Sequence, residues 1–203
     1  KAVRIGAGVR QAALLRWPDL SKTLPLIALA LPWTGHEQTR SRGTVCGSLA
    51  HADPSAELPL TLMALGGEVH LRSLKKRRAV TAREFFSGMM ATARQDDELI
   101  EAVTFPSNGG PCAFREVARR HGDFAIVACA AIKTANGVRL AVGGVADTPQ
   151  VRDWQNLDGS ALDDALNEFA YDLDARDDVH ASARYRRDLV RMIGRDLIGE
   201  VMQ

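Results

Sequence analysis

The chain has 203 residues, of which 46% are hydrophobic and 25% are charged, and its formal net charge is +1. This balance is typical of a globular protein with one large or two small domains. The near-zero charge excludes a general electrostatic surface for nucleic acids or membranes, so we assign the basic run Lys75-Lys76-Arg77-Arg78 to a solvated hairpin tip. The longest apolar runs have about ten residues, half of what a transmembrane helix needs.

The cysteines are Cys46, Cys112 and Cys129. Their spacing matches neither a CxxC motif nor a zinc site, so we predict no metal site. An odd number of cysteines favours thiols in a reducing compartment, and we therefore expect a cytoplasmic protein. Arginines interrupt the N-terminal segment, so no signal peptide is expected. The sequence starts at Lys1 and enters a strand-like segment at once, which suggests that chain upstream of it is missing.

The N-terminal half alternates between helical and extended patterns. Residues 2–5 are strand-like, and residues 22–31 are apolar and compatible with a helix. Residues 34–48 are polar and contain glycines, so we interpret them as a loop. Residues 56–65 suit a buried helix that Gly66-Gly67 would end. The period then changes to that of strands, at 68–72, 78–81 and 101–105.

The clearest linker signal is the sequence Ser-Asn-Gly-Gly-Pro at 107–111. We place a linker at 107–110, between a domain of residues 1–106 and a domain of residues 111–203. The second domain is predicted to contain strands at 124–133 and 138–145, joined by an Asn136-Gly137 hairpin with a type I′ turn. Helices are predicted at 160–170 and 181–202. Strands followed by grouped helices indicate the α+β class.

The segment from Arg40 to Pro54 is the most unusual part of the sequence. It combines arginines, glycines, small hydroxyl residues, a histidine and an aspartate just before a predicted helix. Glycines allow a close approach of the backbone, N–H groups and hydroxyls donate to phosphate oxygens, and a helix N-terminus adds partial positive charge. A phosphate-bearing ligand is one interpretation. The pattern alone leaves an ordinary glycine-rich connection open, and equally a stand-alone nucleotide-binding loop.

Five segments in the same order resemble the FAD-binding (medium) subunits of the molybdenum hydroxylase and carbon monoxide dehydrogenase flavoprotein family. The segment Gly43-Thr44-Val45-Cys46-Gly47-Ser48, followed by Ala52-Asp53-Pro54 and Glu57, is similar to the second flavin loop of that family. The other similar segments are 99–106, 114–125, 143–149 and 181–187. The resemblance covers nearly the whole chain.

The resemblance implies an α+β fold in which residues 1–106 form the second subdomain of a PCMH-type FAD-binding domain. Residues 111–203 would form the CO dehydrogenase flavoprotein C-terminal domain, a three-stranded antiparallel sheet against a helix bundle. The implied function is electron transfer: FAD would receive electrons from the [2Fe-2S] clusters of an iron–sulfur subunit and pass them to an external acceptor. A molybdopterin subunit would hydroxylate the substrate, so we expect no catalytic residues in this chain and no activity from it alone.

The resemblance also assigns cofactor-binding residues. Thr44 and Ser48 would donate to the phosphates or ribityl chain of FAD, and Cys46 and Gly47, next to Val45, would offer backbone N–H groups there. His51 would lie along the ribityl or phosphate portion. Glu57 would accept hydrogen bonds from the ribityl hydroxyls. Ile100 would contact the isoalloxazine ring through its backbone, and Arg115 would approach the edge of that ring.

Two departures from the family pattern bear on FAD retention. The family's first subdomain, with its own glycine-rich loop, has no counterpart in this sequence. Cys46 stands where relatives have glycine, and a left-handed backbone there would cost about 1–2 kcal/mol. We therefore expect weak or no FAD binding by this chain alone. A truncated scaffold of the same fold without a cofactor is the alternative. Asp53, before Pro54, is expected only to start a turn or to cap the next helix.

Overall fold

The computed structural model describes residues 1–107, 110–155, 157 and 159–203. An N-terminal half contains, in order, β1 (Ala2–Gly6), α1 (Gln11–Leu15), α2 (Leu20–Thr23), α3 (Pro25–Ala30), α4 (Glu37–Arg42), α5 (Val45–His51), α6 (Glu57–Leu65), β2 (Glu68–Arg72), β3 (Arg77–Thr81), α7 (Ala82–Phe85), β4 (Phe86–Gly88), β5 (Ala91–Thr92) and β6 (Leu99–Pro106). A C-terminal half contains β7 (Cys112–Val117), β8 (Val127–Thr134), β9 (Gly137–Gly143), β10 (Gln150–Gln155), α8 (Gly159–Asp172) and α9 (Ala183–Met202).

The N-terminal half is built on an antiparallel sheet with the strand order β1-β6-β2-β3. Its strands alternate as the sequence predicts: in β2, Val69 and Leu71 are buried while Glu68 and Arg72 are exposed. The β2–β3 connection places Lys75 and its basic neighbours at an exposed hairpin tip, as predicted. Helix α6 is buried along most of its length and ends at Gly66, whose φ of 65° is the left-handed conformation that glycine accepts readily.

The segment 34–48, predicted as a loop, instead contains α4 and the first turn of α5. The prediction is wrong because its polar, glycine-bearing composition conceals two short helices stabilised by tertiary packing. Val45 and Leu49 of α5 are fully buried. The helix predicted at 22–31 is divided into α2 and α3, because Pro25 occupies the first position of α3. The short elements α1, β4 and β5 have no clear signal in the sequence, whereas α7 begins at a capping box of Thr81 and Glu84 that the sequence-based predictions did not use.

The C-terminal half is an antiparallel sheet in the order β10-β9-β8-β7, with α8 and α9 against one face. The sheet has four strands where the resemblance implies three, because 150–155 adds a half-exposed edge strand. The two predicted helices are confirmed. Strand β8 begins at Val127, three residues later than Phe124, where the apolar run starts. Among helices in the described residues, none is long and apolar enough to cross a bilayer.

The predicted β8–β9 hairpin is confirmed, but its turn differs from the type I′ turn. Thr134 pairs with Gly137, so Ala135 and Asn136 form the two-residue connection and Gly137 already belongs to β9. In the described chain the residues other than glycine with positive φ are Ala52 and Met90, so Asn136 does not adopt the conformation that a type I′ turn requires. The Asn-Gly signal located the hairpin one residue too late.

The two halves pack directly on each other. Helix α3 lies on β7, and α6 lies on β8 and β9, so the second sheet is covered by the N-terminal half on one face and by its own helices on the other. The buried apolar side chains form two hydrophobic clusters. One contains residues of both halves, and the other lies between the sheet of the C-terminal half and the helices α8 and α9. The predicted linker 107–110 includes residues 108 and 109, which lie outside the described residues.

An ion pair between Arg78 and Glu98 connects β3 with the segment that precedes β6. The guanidinium Nε and Nη2 each donate to one carboxylate oxygen at 2.7 Å, and the N–H of Gln95 donates to the same carboxylate at 2.8 Å. The hydrogen bonds from Arg78 lower the pKa of Glu98 from 4.5 to about 2.

We predict that this pair makes the fold sensitive to acid. Because the pKa of Glu98 is lower in the folded state, its contribution to stability is present above about pH 4.5 and is lost as the pH falls towards about 2. Urea unfolding of Glu98→Gln and of the wild type should therefore converge as the pH is lowered through that window. The exposed Glu168→Gln is the control and should parallel the wild type at every pH.

Candidate functional site

A cavity of about 380 Å³ lies where the two halves meet. The N-terminal half supplies most of its wall, and the loop between β7 and β8 supplies the rest. Five of the nine residues that the sequence assigns to cofactor binding line this cavity: Thr44, Gly47, Ser48, His51 and Glu57. The remaining lining residues are Gln11, Thr34, Gly35, Thr39, Gly43, Gly122, Asp123 and Phe124. The described structure thus brings the centre of the predicted flavin loop to a single concave surface.

Thr44 organises the part of the wall at the start of α5. It is the N-cap residue, and its hydroxyl oxygen accepts from the N–H of Gly47 at 2.9 Å. A side chain at Gly47 would place its Cβ 2.7 Å from that hydroxyl, so this position requires glycine. The N–H of Val45 donates to the carbonyl of Val9 at 3.0 Å. The Gly47 N–H is therefore already bound to the capping hydroxyl of Thr44, which differs from the expectation that it is offered to a ligand.

We predict that Thr44→Ala lowers the free energy of unfolding by about 1 kcal/mol, because the Gly47 N–H loses its capping partner. Thr44→Ser keeps a hydroxyl in the same position and should cost much less. Urea denaturation of the three proteins measures the effect. Equal losses for Ala and Ser would show that the methyl group of Thr44, and not its hydroxyl, supports the helix.

Cys46 points away from the cavity. Its side chain is buried, and its Sγ lies 3.8 Å from the carbonyl oxygen of Ile5 in β1. Burial raises the pKa of the thiol to about 11, so it is protonated at neutral pH. The backbone is helical at Cys46 and not left-handed. The strain predicted for this substitution is therefore absent, and the side chain fills the core where it was expected to crowd a ligand.

Glu57 is the buried acidic residue of the cavity wall. It begins α6, where the backbone N–H groups and the helix dipole favour a negative charge. Burial raises its pKa, while its own backbone N–H, the Thr34 side chain and the Arg40 charge act in the opposite direction. Arg40 does not face the cavity as an anion ligand: its Nη1 donates to the carbonyls of Pro32, Thr34 and Gly35, at 2.7–3.2 Å.

Asp53, just upstream of α6, accepts from the N–H of Ser55 at 2.8 Å, which confirms the predicted turn.

The sequence did not single out Gln11, yet it lies in the cavity wall. Gln11 is 4% exposed, and its Oε1 has no hydrogen-bond partner in the described residues. A buried amide oxygen without a donor is costly, and Gln11 is one of the residues that line the cavity. A lone glutamine more than 30 residues upstream of the motif carries no sequence signal.

The β7–β8 loop closes the cavity from the C-terminal half. Gly122 approaches the ring of His36 so closely that a Cβ would lie 2.7 Å from it, and the His121 ring meets Trp33 edge to face with centroids 5.0 Å apart. Phe124, beyond this contact, is 63% exposed at the rim. His121, Gly122 and Phe124 belong to a segment that carries the family resemblance, but no motif in the sequence assigned them to the cavity.

Four predicted site residues lie outside the cavity lining. Val45 and Cys46 are in the core, and Ile100 is a buried residue of β6 opposite Leu71. Arg115 is on the face of β7 that meets α9, where its guanidinium pairs with Asp196 at 3.2 Å and with Glu200 at 3.7 Å. Their assignment to FAD stays a prediction, and for Arg115 these ion pairs are a competing structural role.

Comparison with known proteins defines the class of this fold and site. Residues 1–108 match the family described as FAD binding domain in molybdopterin dehydrogenase, and residues 112–201 match the CO dehydrogenase flavoprotein C-terminal domain. The nicotine 6-hydroxylase medium subunit of Paenarthrobacter nicotinovorans is 38% identical over 98% of this chain and 74% of its own length. The carbon monoxide dehydrogenase medium chain of Afipia carboxidovorans is 32% identical over 81% of this chain and 62% of its own.

Solved structures agree. Quinoline 2-oxidoreductase from Pseudomonas putida 86 superposes with a TM-score of 0.89 at 29% identity, covering 98% of this chain and 74% of the other. Reconstituted CO dehydrogenase from Oligotropha carboxidovorans gives a TM-score of 0.90 at 27% identity, covering 98% and 75%. The fold is thus that of a flavoprotein subunit. The chain belongs to the family of FAD-binding medium subunits of the molybdenum hydroxylases and carbon monoxide dehydrogenases.

Proposed function

We propose that this chain holds FAD in the cavity between its two halves and relays electrons through it. In this proposal the electrons come from the [2Fe-2S] clusters of an iron–sulfur subunit and leave to an external acceptor. A molybdopterin subunit of the same complex carries out substrate hydroxylation. This chain by itself performs no catalytic step: FAD supplies the redox chemistry, and the residues of the chain bind and orient it.

The observation that carries the proposal is the grouping of Thr44, Ser48, His51 and Glu57 around one cavity. Hydroxyl donors and a buried acceptor suit the phosphate and ribityl portions of FAD. The orphaned Oε1 of Gln11 fits a ligand that donates a hydrogen bond. Several relatives carry names of hydroxylase or dehydrogenase subunits, which supports the oxidoreductase assignment.

Two alternative functions, a stand-alone nucleotide-binding loop and a cofactor-free scaffold, have less support from the structure. The stand-alone nucleotide-binding loop loses support, because the guanidinium of Arg40 is occupied by three backbone carbonyls. The cofactor-free scaffold loses the part of its support that came from Cys46, whose backbone is unstrained. The experiment below decides between a flavin site and a scaffold.

The test is an equilibrium titration of the purified chain with FAD, followed by flavin fluorescence. Glu57→Gln should weaken binding by about tenfold to a hundredfold, since a hydrogen bond to a charged acceptor contributes about 1.5–3 kcal/mol. Glu168→Gln, on the exposed face of α8, is the matched control and should bind like the wild type. Saturable FAD binding that Glu57→Gln weakens would favour the flavin site over the scaffold, and binding that Glu57→Gln leaves unchanged would contradict the place of FAD in this cavity.

A further inference from the structure

Side chains of strand β7 point alternately to the two faces of its sheet, and this alternation places Glu116 in the apolar core shared by the two halves. Cys112 and Phe114 pack against the core shared by the two halves, and Ala113 and Val117 pack against the core under α8 and α9. Glu116 has the parity of Cys112 and Phe114, so its side chain enters the shared core. Helices α3 and α6 cover this face of the sheet, and α6 begins with Glu57.

Glu116 is almost entirely buried, with 6% of its surface exposed. Neither of its carboxyl oxygens has a hydrogen-bond partner in the described residues. Its cross-strand neighbour on β8 is Ala128, which offers only a methyl group on this face. The charged group that acts on Glu116 is Glu57. The buried carboxyl of Glu116 therefore lies within electrostatic range of the Glu57 carboxyl, and no cation pairs with it in the described residues.

Hydrogen-bond donors decide which of the two carries a charge. Burial raises the pKa of Glu57, as does the Asp53 charge, but its own backbone N–H at the start of α6, the Thr34 side chain and the Arg40 charge act in the opposite direction. Glu116 has no such donor, and an unpaired buried carboxylate costs far more than a buried carboxylic acid. If both carboxyl groups were ionised, their like charges would also repel each other in this poorly solvated space.

We propose that Glu116 is a positioning residue that retains its proton at neutral pH, so that Glu57 is the single anionic acceptor facing the cavity. Glu116 acts through Glu57 and does not contact the ligand. The proposal rests on the proposed function, since the cavity is the FAD site. Burial, and then the neighbouring Glu57, raise the pKa of Glu116 to about 8, which agrees with this distribution of charge.

A proton held in this way makes both stability and binding depend on pH. The unfolded chain releases the Glu116 proton near pH 4.5, but the folded chain keeps it until about pH 8. The folded state is therefore progressively disfavoured as the pH rises across that window. When Glu116 ionises, a second negative charge lies behind Glu57, and we expect FAD affinity to fall by about tenfold from pH 7 to pH 9.

The experiment compares thermal unfolding of the wild type and Glu116→Gln, without ligand, from about pH 5 to about pH 9. The variant should unfold at the same temperature as the wild type at the acid end, and about 10 °C higher above pH 8. Glu168→Gln should follow the wild type throughout. A constant difference between Glu116→Gln and the wild type across the range would overturn the proposal.

A second measurement needs no substitution. In the wild type, the infrared band of a protonated carboxyl should be present near pH 6.5 and lost near pH 9.5. Its absence at the lower pH would overturn the proposal even if the variant failed to fold. FAD titrations over the same range separate the two hypotheses. A pH-dependent stability difference together with FAD binding that Glu57→Gln leaves unchanged would support the charge assignment and reject the place of FAD in this cavity.

Discussion

Arg186→Leu is expected to lower the free energy of unfolding by about 3 kcal/mol. Arg186 is 5% exposed, although it lies on the amphipathic helix α9. Its Nη1 donates to the carbonyls of Ile126 and Gly144, each at 2.6 Å, and its Nη2 donates to Asp178 at 2.5 Å. Leucine would retain the packing of the side chain but leave two inward-facing carbonyls without a donor.

Two companion variants test this explanation by urea denaturation. Arg184→Leu, on the same helix, removes a side chain that is 92% exposed and should change stability little. Arg186→Lys keeps the charge, but one ammonium cannot reproduce the fork that spans two carbonyls and a carboxylate. We expect Lys to recover only part of the loss. A full recovery would mean that charge alone, and not geometry, stabilises the loops.

Gly144→Ala is expected to destabilise the fold by a similar amount, about 3 kcal/mol. Gly144 has a φ of 80°, where an L side chain is strained by roughly 1–2 kcal/mol. A Cβ at this position would also lie 2.9 Å from the carbonyl oxygens of both Ala125 and Ile126. Overpacking against backbone costs about 1–3 kcal/mol more, because neither carbonyl can move aside as a flexible side chain would.

The substitution also bears on the junction between the halves. The N–H of Gly144 donates to the carbonyl of Pro54 at 2.8 Å, and Pro54 belongs to the segment that leads into Glu57 and the cavity. Calorimetry of Gly144→Ala should be compared with Gly199→Ala. Gly199 lies inside α9 with open space around it, so alanine should stabilise that helix by about 0.5–1 kcal/mol. Opposite signs for the two variants are the expected result, and a loss at both would contradict the steric argument.

The sequence alone determined the class of the protein and its main elements. The period of two in Glu68–Arg72 marked a strand because one face of that sheet is buried and the other is solvated. The repeat of Leu189, Ile193 and Leu197 marked the last helix because those residues must share one face. Motif order identified the family, since its glycine and hydroxyl residues serve local geometry that a short segment encodes by itself.

The tertiary structure alone decided where the buried polar groups lie and which of them face a common space. Short helices in the segment 34–48 form because Val45 and Leu49 meet a core that distant residues supply. Gln11 and Thr44 share a cavity wall only once the chain has folded. Glu116 and Glu57 are 59 positions apart in the sequence. The sequence around either glutamate does not indicate that the two interact. The cost of a buried charge depends on hydrogen-bond donors and solvent, and only the packing of the two halves defines these.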